Sequence, residues 1–194
     1  MSERLRQLDD VELVARARNH DHEAFSILVD RYGETMFNLA QRMIGNAHDA
    51  HDVVQETFVS AFKALNGFRA DARFSTWLYR IGLNKCKDWL KTHGRRHERE
   101  SGSTTEEDGE DDPITRIPDD RTPEATLSQK QTARVLEEAI QRLPPLYREA
   151  FILKHLEGID YAEMSDMLGV GRDTLKMRVY KARTQLCRDL QWLR

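Results

Sequence analysis

No stretch of this 194-residue chain alternates apolar and polar residues; every apolar segment repeats at three- and four-residue steps. That spacing puts apolar side chains on one face of a helix and leaves no half-buried strand. The chain is therefore predicted to be all-α. A first helix starts at Asp9 or Asp10, both good caps, and carries Val11, Leu13, Val14 and Ala17. A second runs from Asp21 through Phe25, Leu28, Met36, Leu39 and Met43 to Gly45. Asn46 caps a third, which continues to about Leu65 with Val54, Phe58, Phe62 and Leu65 facing inward. Gly67 interrupts the pattern within Asn66–Arg73. A fourth helix begins at Ser75 and ends near Gly94.

The pattern then fails. Residues 95–121 are charged, carry Gly and Ser, and are nearly free of large apolar side chains, which predicts a flexible acidic tether. Thr122-Pro123 reads as a cap followed by proline at the first helical position. Pro144-Pro145 closes that helix and opens the next, which runs to Gly158. Two last helices, about 160–168 and 172–192, meet at Gly169-Val170-Gly171. The expected organisation is two small helical domains, 1–94 and 122–194, joined by the tether.

Charge divides along the same lines. The formal net charge is −3, but residues 101–120 hold eight acids against one arginine. Residues 79–99 and 172–194 each hold seven Lys/Arg against two acids. Two basic patches flanking an acidic spacer fit two contacts with a polyanion. No apolar run approaches membrane-spanning length and the N-terminus has no signal-peptide pattern, so a cytoplasmic protein is expected. Cys86 and Cys187 fit neither a disulfide framework nor a metal site, and both are read as buried thiols.

The fourth helix, FSTWLYRIGLNKCKDWLK, has two unlike faces. Phe74, Leu78, Gly82, Cys86, Trp89 and Leu90 form an apolar stripe; Trp77, Arg80, Asn84, Lys87 and Lys91 form a basic face with an indole in it. Cations neutralise phosphates, an amide reads a base edge and an indole stacks on an unpaired base. On spacing alone, Trp77 packing under a neighbouring helix is an equal alternative. The last two helices have the helix, glycine-containing turn and helix that groove-reading proteins use. Leu175, Val179, Ala182, Leu186 and Leu190 make the buried stripe, opposite Met177, Tyr180, Lys181 and Thr184, with cations along the edges. In the third helix Asp49, Asp52 and Glu56 form an acidic arc beside Val53, Gln55 and Val59: either a protein-docking surface or a solvated face. The segment Asn66–Arg73 offers Asn66, Phe68, Arg69 and Asp71. Phe68 either stacks on one extruded base or anchors the loop to the core. The seven histidines are scattered, no phosphate loop or nucleophile elbow occurs, and no catalytic residue, metal or cofactor is predicted.

DAHDVVQETFVSAFKALNGFRADARFSTWLYRIGLNKCKDWL resembles region 2 of the extracytoplasmic-function (ECF) bacterial sigma factors, and LPPLYREAFILKHLEGIDYAEMSDMLGVGRDTLKMRVYKARTQL resembles their region 4. The resemblance implies a non-enzymatic factor that binds bacterial RNA polymerase core, directs it to promoters, helps open the duplex and is restrained by an anti-sigma factor. It implies core docking through Asp49, Asp52, Val53, Gln55 and Glu56. It implies −10 recognition and melting through Asn66, Phe68, Arg69, Asp71, Trp77, Arg80, Asn84 and Lys87, with the strand single-stranded there. Recognition of duplex at −35 falls to Arg172, Thr174, Met177, Tyr180 and Lys181, with Lys176, Arg178 and Arg183 on phosphates. Met177 and Lys181 depart from the family's usual small polar residue and Arg, which leaves the −35 preference open. Two rivals remain at this point: a helix-turn-helix repressor or activator with 1–94 as sensor, and a recombinase or nuclease with a C-terminal DNA reader.

Overall fold

The computed structural model describes the backbone of residues 5–68, 73–100 and 123–191, and the side chains of 5–68, 73–93 and 133–191. Among the described residues all regular structure is helical. The first unit comprises α1 (Asp10–Arg18), α2 (His22–Ile44), α3 (Ala47–Ala64), a 3-10 turn (Leu65–Gly67) and α4 (Phe74–Glu100). The second comprises α5 (Pro123–Arg142), α6 (Pro145–Phe151), a π-helical turn (Ile152–Leu156), α7 (Tyr161–Leu168) and α8 (Arg172–Asp189). Most of the acidic tether, from 101 on, lies outside the described residues.

The predicted caps set the helix starts. Asp9 accepts from the Glu12 amide at 2.8 Å and Asp21 from the Ala24 amide at 3.1 Å. Asn46 accepts from His48 at 2.9 Å and Asp49 at 3.4 Å. Each satisfies an amide that has no carbonyl one turn behind it, worth about 1 kcal/mol. α2 stops at Gly45, whose φ of 87° is the left-handed conformation that other residues resist. The fourth helix differs from expectation at both ends. It begins at Phe74, so Ser75 lies inside the first turn, and the buried Phe74 ring fixes the start by packing on Tyr32, Phe68 and Trp77. It also continues through Gly94 to Glu100, because one interior glycine costs only about 1 kcal/mol.

In the first unit α2 packs on α1, α3 and α4, and Leu13, Leu28, Met36, Leu39, Met43, Leu78 and Leu83 are fully buried. Gly82 brings α4 close: a Cβ there would meet Met36 Sδ at 3.4 Å and Thr57 Cγ2 at 3.6 Å. In the second unit α6 and α7 both pack on α8, burying Ile152, Leu153, Met164 and Leu175. Three expectations are corrected. Phe62 is 38% exposed, edge-on to Phe25 at the surface, whereas Val53, expected on the exposed arc, is 5% exposed. The inward face of α3 is thus rotated toward Ala50, Val53, Thr57 and Ala61. Cys187 is exposed, because it sits one residue past the buried Leu186 and so about 100° around the helix.

The two units are in direct contact and their buried side chains join into one cluster. α5 and α6 lie against α2, and α7 against α4. The last carbonyls of α2 are taken by the second unit, although Gln41 O also accepts from the Gly45 amide at 2.8 Å. Gln141 Nε2 donates to Gln41 O at 3.0 Å and Arg42 O at 2.7 Å, and Arg148 donates to Met43 O at 2.5 Å. The buried Arg148 guanidinium also donates to Leu143 O at 3.0 Å and to Gln141 O, tying the end of α5 to α6. Burial lowers its proton affinity from the ordinary arginine value.

Candidate nucleic-acid interface

The basic face of α4 forms because its apolar residues face α2 and α3, leaving Arg80 and Asn84 exposed on the opposite side. Trp77 lies at the edge, half-buried, with its ring centroid 5.1 Å from Phe68 and 5.6 Å from Phe74. Phe68 is 6% exposed, so in this conformation it anchors the loop and floors Trp77 rather than offering a free stacking face. Nothing in the sequence marked the residue that holds it. Arg18, from the last turn of α1, donates to Leu65 O at 3.0 Å and to Phe68 O, with its guanidinium 5.9 Å above the Phe68 ring. Asn66 is exposed beside this anchor; Arg69 and Asp71 lie outside the described residues. An open cavity next to the loop is lined by Asp9, Asp10, Arg31, Tyr32, Phe68 and Arg73. The Tyr32 hydroxyl donates to Asp10, and Arg31 Nη1 reaches the same carboxylate at 2.5 Å. Burial and that carboxylate push the phenol up, so Tyr32 stays protonated.

Lys87 breaks from the rest of its face. Its ammonium lies 2.5 Å from Glu149 Oε1 of α6, a carboxylate only 1% exposed. Burial pushes the Glu149 carboxyl above the ordinary glutamate range, and the Lys87 and Arg178 charges pull it back. Arg178 is one of the expected −35 phosphate contacts, so one buried acid faces a cation from each basic helix. The only sequence signal for this was two adjacent charges, Arg148 and Glu149, within an otherwise apolar helical stretch.

On α8, the turn at Gly169 (φ 65°) sets the angle with α7, and Asp160 caps α7 by accepting from Ala162 at 2.7 Å and Glu163 at 2.9 Å. Those backbone donors hold the Asp160 carboxyl below its ordinary range. Leu175, Val179, Ala182 and Leu186 are buried as expected. Arg172, Thr174, Lys176, Lys181 and Arg183 are exposed, with Met177 at 54% and Tyr180 at 43%. Large apolar and aromatic groups at that exposure, ringed by cations, suit the methyls and edges of bases in a wide groove with phosphates at its walls. Lys176 pairs with Asp173 at 3.0 Å, and Arg178 is half-buried on the side toward Glu149.

The acidic arc of α3 is assembled as predicted except for Val53. Asp52, Gln55 and Glu56 line an open groove with Val59, Ser60, Lys63 and Lys85, and Lys85 reaches Glu56 at 3.3 Å. Asp49 is half-buried one turn earlier, and the exposed Val59 and Phe62 extend the groove with apolar surface. His48, Asp49 and Asp52 bring ligand atoms within 4.8 Å of one another on this exposed turn. Among the described residues no helix is long and apolar enough to cross a membrane.

Two family models match the chain: Sigma-70 region 2 over residues 28–96 and Sigma-70 region 4 over residues 127–186. The chain is similar to the ECF RNA polymerase sigma-E factor of Haemophilus influenzae, 34% identical over 95% of this chain and 97% of that protein. Among solved structures it is similar to CnrH, seen in complex with the cytosolic domain of CnrY (TM-score 0.65, 28% identity, 94% and 97% of the two chains). Its fold is also that of the sigma factor RpoE from Bartonella quintana in complex with the anti-sigma factor NepR (TM-score 0.64, 22% identity, 86% and 96%). With both regions matched in order and nearly the whole length aligned, the chain belongs to the extracytoplasmic-function subfamily of sigma-70 RNA polymerase sigma factors.

Proposed function

We propose that this sigma factor divides promoter recognition between its two basic helices while α3 holds RNA polymerase core. Asp49, Asp52, Gln55 and Glu56, with Val59 and Phe62 beside them, form a surface of acids around apolar side chains that fits a basic helical partner. Val53 supports it from beneath. α4 reads and opens the −10 element. Arg80 and Lys87 neutralise phosphates, Asn84 contacts a base edge and Trp77 stacks at the junction of duplex and melted strand. The open cavity lined by Tyr32, Phe68 and Arg73 is the place for one extruded base, to be read by Asn66, Arg69 and Asp71. α8 enters the major groove at −35, with Arg172, Thr174, Met177, Tyr180 and Lys181 toward bases and Lys176, Arg178 and Arg183 on phosphates.

The observation that carries this reading is the placement of a half-buried indole among exposed Arg80 and Asn84, on a helix separate from the groove reader. A self-contained repressor has no use for a second basic helix of that kind. Melting here follows from capturing unstacked bases, so no step requires catalysis by this chain. Each surface alone is small, and polymerase makes the pair bivalent by fixing their spacing. Docking on core places the protein in the cytoplasm. By likeness to its solved neighbours, an anti-sigma factor restrains it there; a membrane-anchored one would hold it at the inner membrane.

Trp77→Ala is expected to co-purify with polymerase core normally but to form open complexes poorly, read as lost permanganate reactivity of −10 thymines. Normal melting in that variant, or failure of the wild-type chain to bind core, rejects the reading.

A further inference from the structure

The outer face of α8 carries an apolar strip that packing does not explain. Met177 stands two residues after Leu175 and two before Val179, both buried. Two positions on a helix are about 200° apart, so Met177 points directly away from the core. It is 54% exposed, and Tyr180, one turn further along the same face, is 43% exposed. A single exposed apolar side chain is ordinary on a protein surface. Here two are neighbours on a helix whose other exposed groups include Arg172, Asp173, Lys176, Lys181 and Arg183. The cations lie to the sides of the strip. Lys176 is drawn to Asp173 at 3.0 Å, which holds its ammonium beside Met177 rather than over it. The centre of the face therefore offers a thioether and a phenol ring, with charge at its margins.

In the major groove only thymine presents a methyl group; the other bases present donors and acceptors alone. We infer that Met177 reads the 5-methyl group of one thymine in the −35 duplex, with Tyr180 closing on the same methyl from the next turn. This deepens, and rests on, the reading of α8 as the −35 helix. An unbranched thioether has the rotational freedom to follow a methyl on the groove floor, and its sulfur is polarisable. The same side chain disfavours guanine at that place. Neither Met177 nor Asp173, one turn before it, donates a hydrogen bond, so the two acceptors of guanine would be desolvated without a partner. Cytosine is disfavoured more gently, by loss of the methyl contact. Removing one methyl from such a contact should weaken binding about fourfold.

The test uses polymerase holoenzyme reconstituted with the full chain and a promoter duplex selected by that holoenzyme from a pool randomised at −35. Each −35 thymine is replaced singly by deoxyuridine, which pairs identically and lacks only the methyl. Wild type is expected to lose about fourfold in affinity at one position. Met177→Ala, which leaves the buried stripe intact, should bind thymine and deoxyuridine alike at that position, whatever its overall affinity. Met177→Leu should keep most of the difference. The inference is overturned if no −35 thymine responds to loss of its methyl, or if Met177→Ala retains the full difference. The assignment of α8 is judged separately. A selected −35 preference without methyl sensitivity removes only the thymine contact. Selection of no −35 preference, with Lys176→Ala binding as well as wild type, removes α8 as the −35 reader altogether.

Discussion

Cys86 and Cys187 share a residue type and not a fate. Cys86 sits under α4 against the core, where burial, together with the Glu149 charge, pushes its thiol up to about 12. Thiolate is the reactive form, so at pH 8 Cys86 should resist alkylation by iodoacetamide in the folded chain. Cys187 should be modified at the rate of an ordinary surface thiol. One equivalent per chain by mass spectrometry before denaturant, and two after, is the expected count. Fast loss of both thiols would mean that the seam over Cys86 opens more often than its packing allows. The same residue scale separates what the sequence disclosed from what it withheld. Capping residues were legible because Asp9, Asp21 and Asn46 act within three residues of themselves. Arg18 and Glu149 were not, because their partners at Phe68 and Lys87 are distant in the chain and only packing brings them together.

The helices divide in the same manner. α8 came through almost intact from spacing: its buried stripe and exposed cations fall where a 3.6-residue period puts them. α3 did not, because Phe62 and Val53 exchanged places relative to expectation. A helix with apolar residues on two sides, one packed and one presented, offers periodicity no way to choose between them. α4 was correct in its faces apart from Lys87, and wrong in its limits. On α8, two substitutions should behave differently in reconstituted polymerase. Lys176→Ala, as a phosphate contact, should weaken binding to all promoters alike and reduce the slope of log affinity against log salt by about 1. Tyr180→Ala should relax sequence preference at −35 and cost about 1–3 kcal/mol on the best site only. Competition titrations over a set of −35 variants distinguish these patterns, and a uniform loss from both changes would remove Tyr180 from base contact.

For the whole molecule, the unforeseen feature is that the two units predicted from sequence share one core. An acidic spacer was legible as composition; the docking of the two units was not, since Gln141, Glu157 and Glu163 look like ordinary surface residues in one dimension. That docking should respond to pH through Glu149. Lys87 from α4, Arg178 from α8 and the Cys86 thiol face it, and burial raises its carboxyl above the ordinary 4.5. A raised value means that the closed form binds the proton more tightly than the open one. The contribution is then complete below about pH 4.5 and is lost as pH rises through the raised value. Lowering the pH from neutrality toward 4.5 should narrow the distribution of distances between spin labels on Cys187 and an introduced Ala64→Cys in the otherwise wild-type chain. Glu149→Gln, which stays neutral, should show no such narrowing, and an equal response in both proteins would assign the effect elsewhere. The end of α2 carries a last implication. Its terminal oxygens at Arg42 and Met43 are satisfied by a neighbour that can depart. Parting the halves therefore leaves that helix to unravel by a turn or recruit solvent, and the surface revealed is softer than the one that was covered.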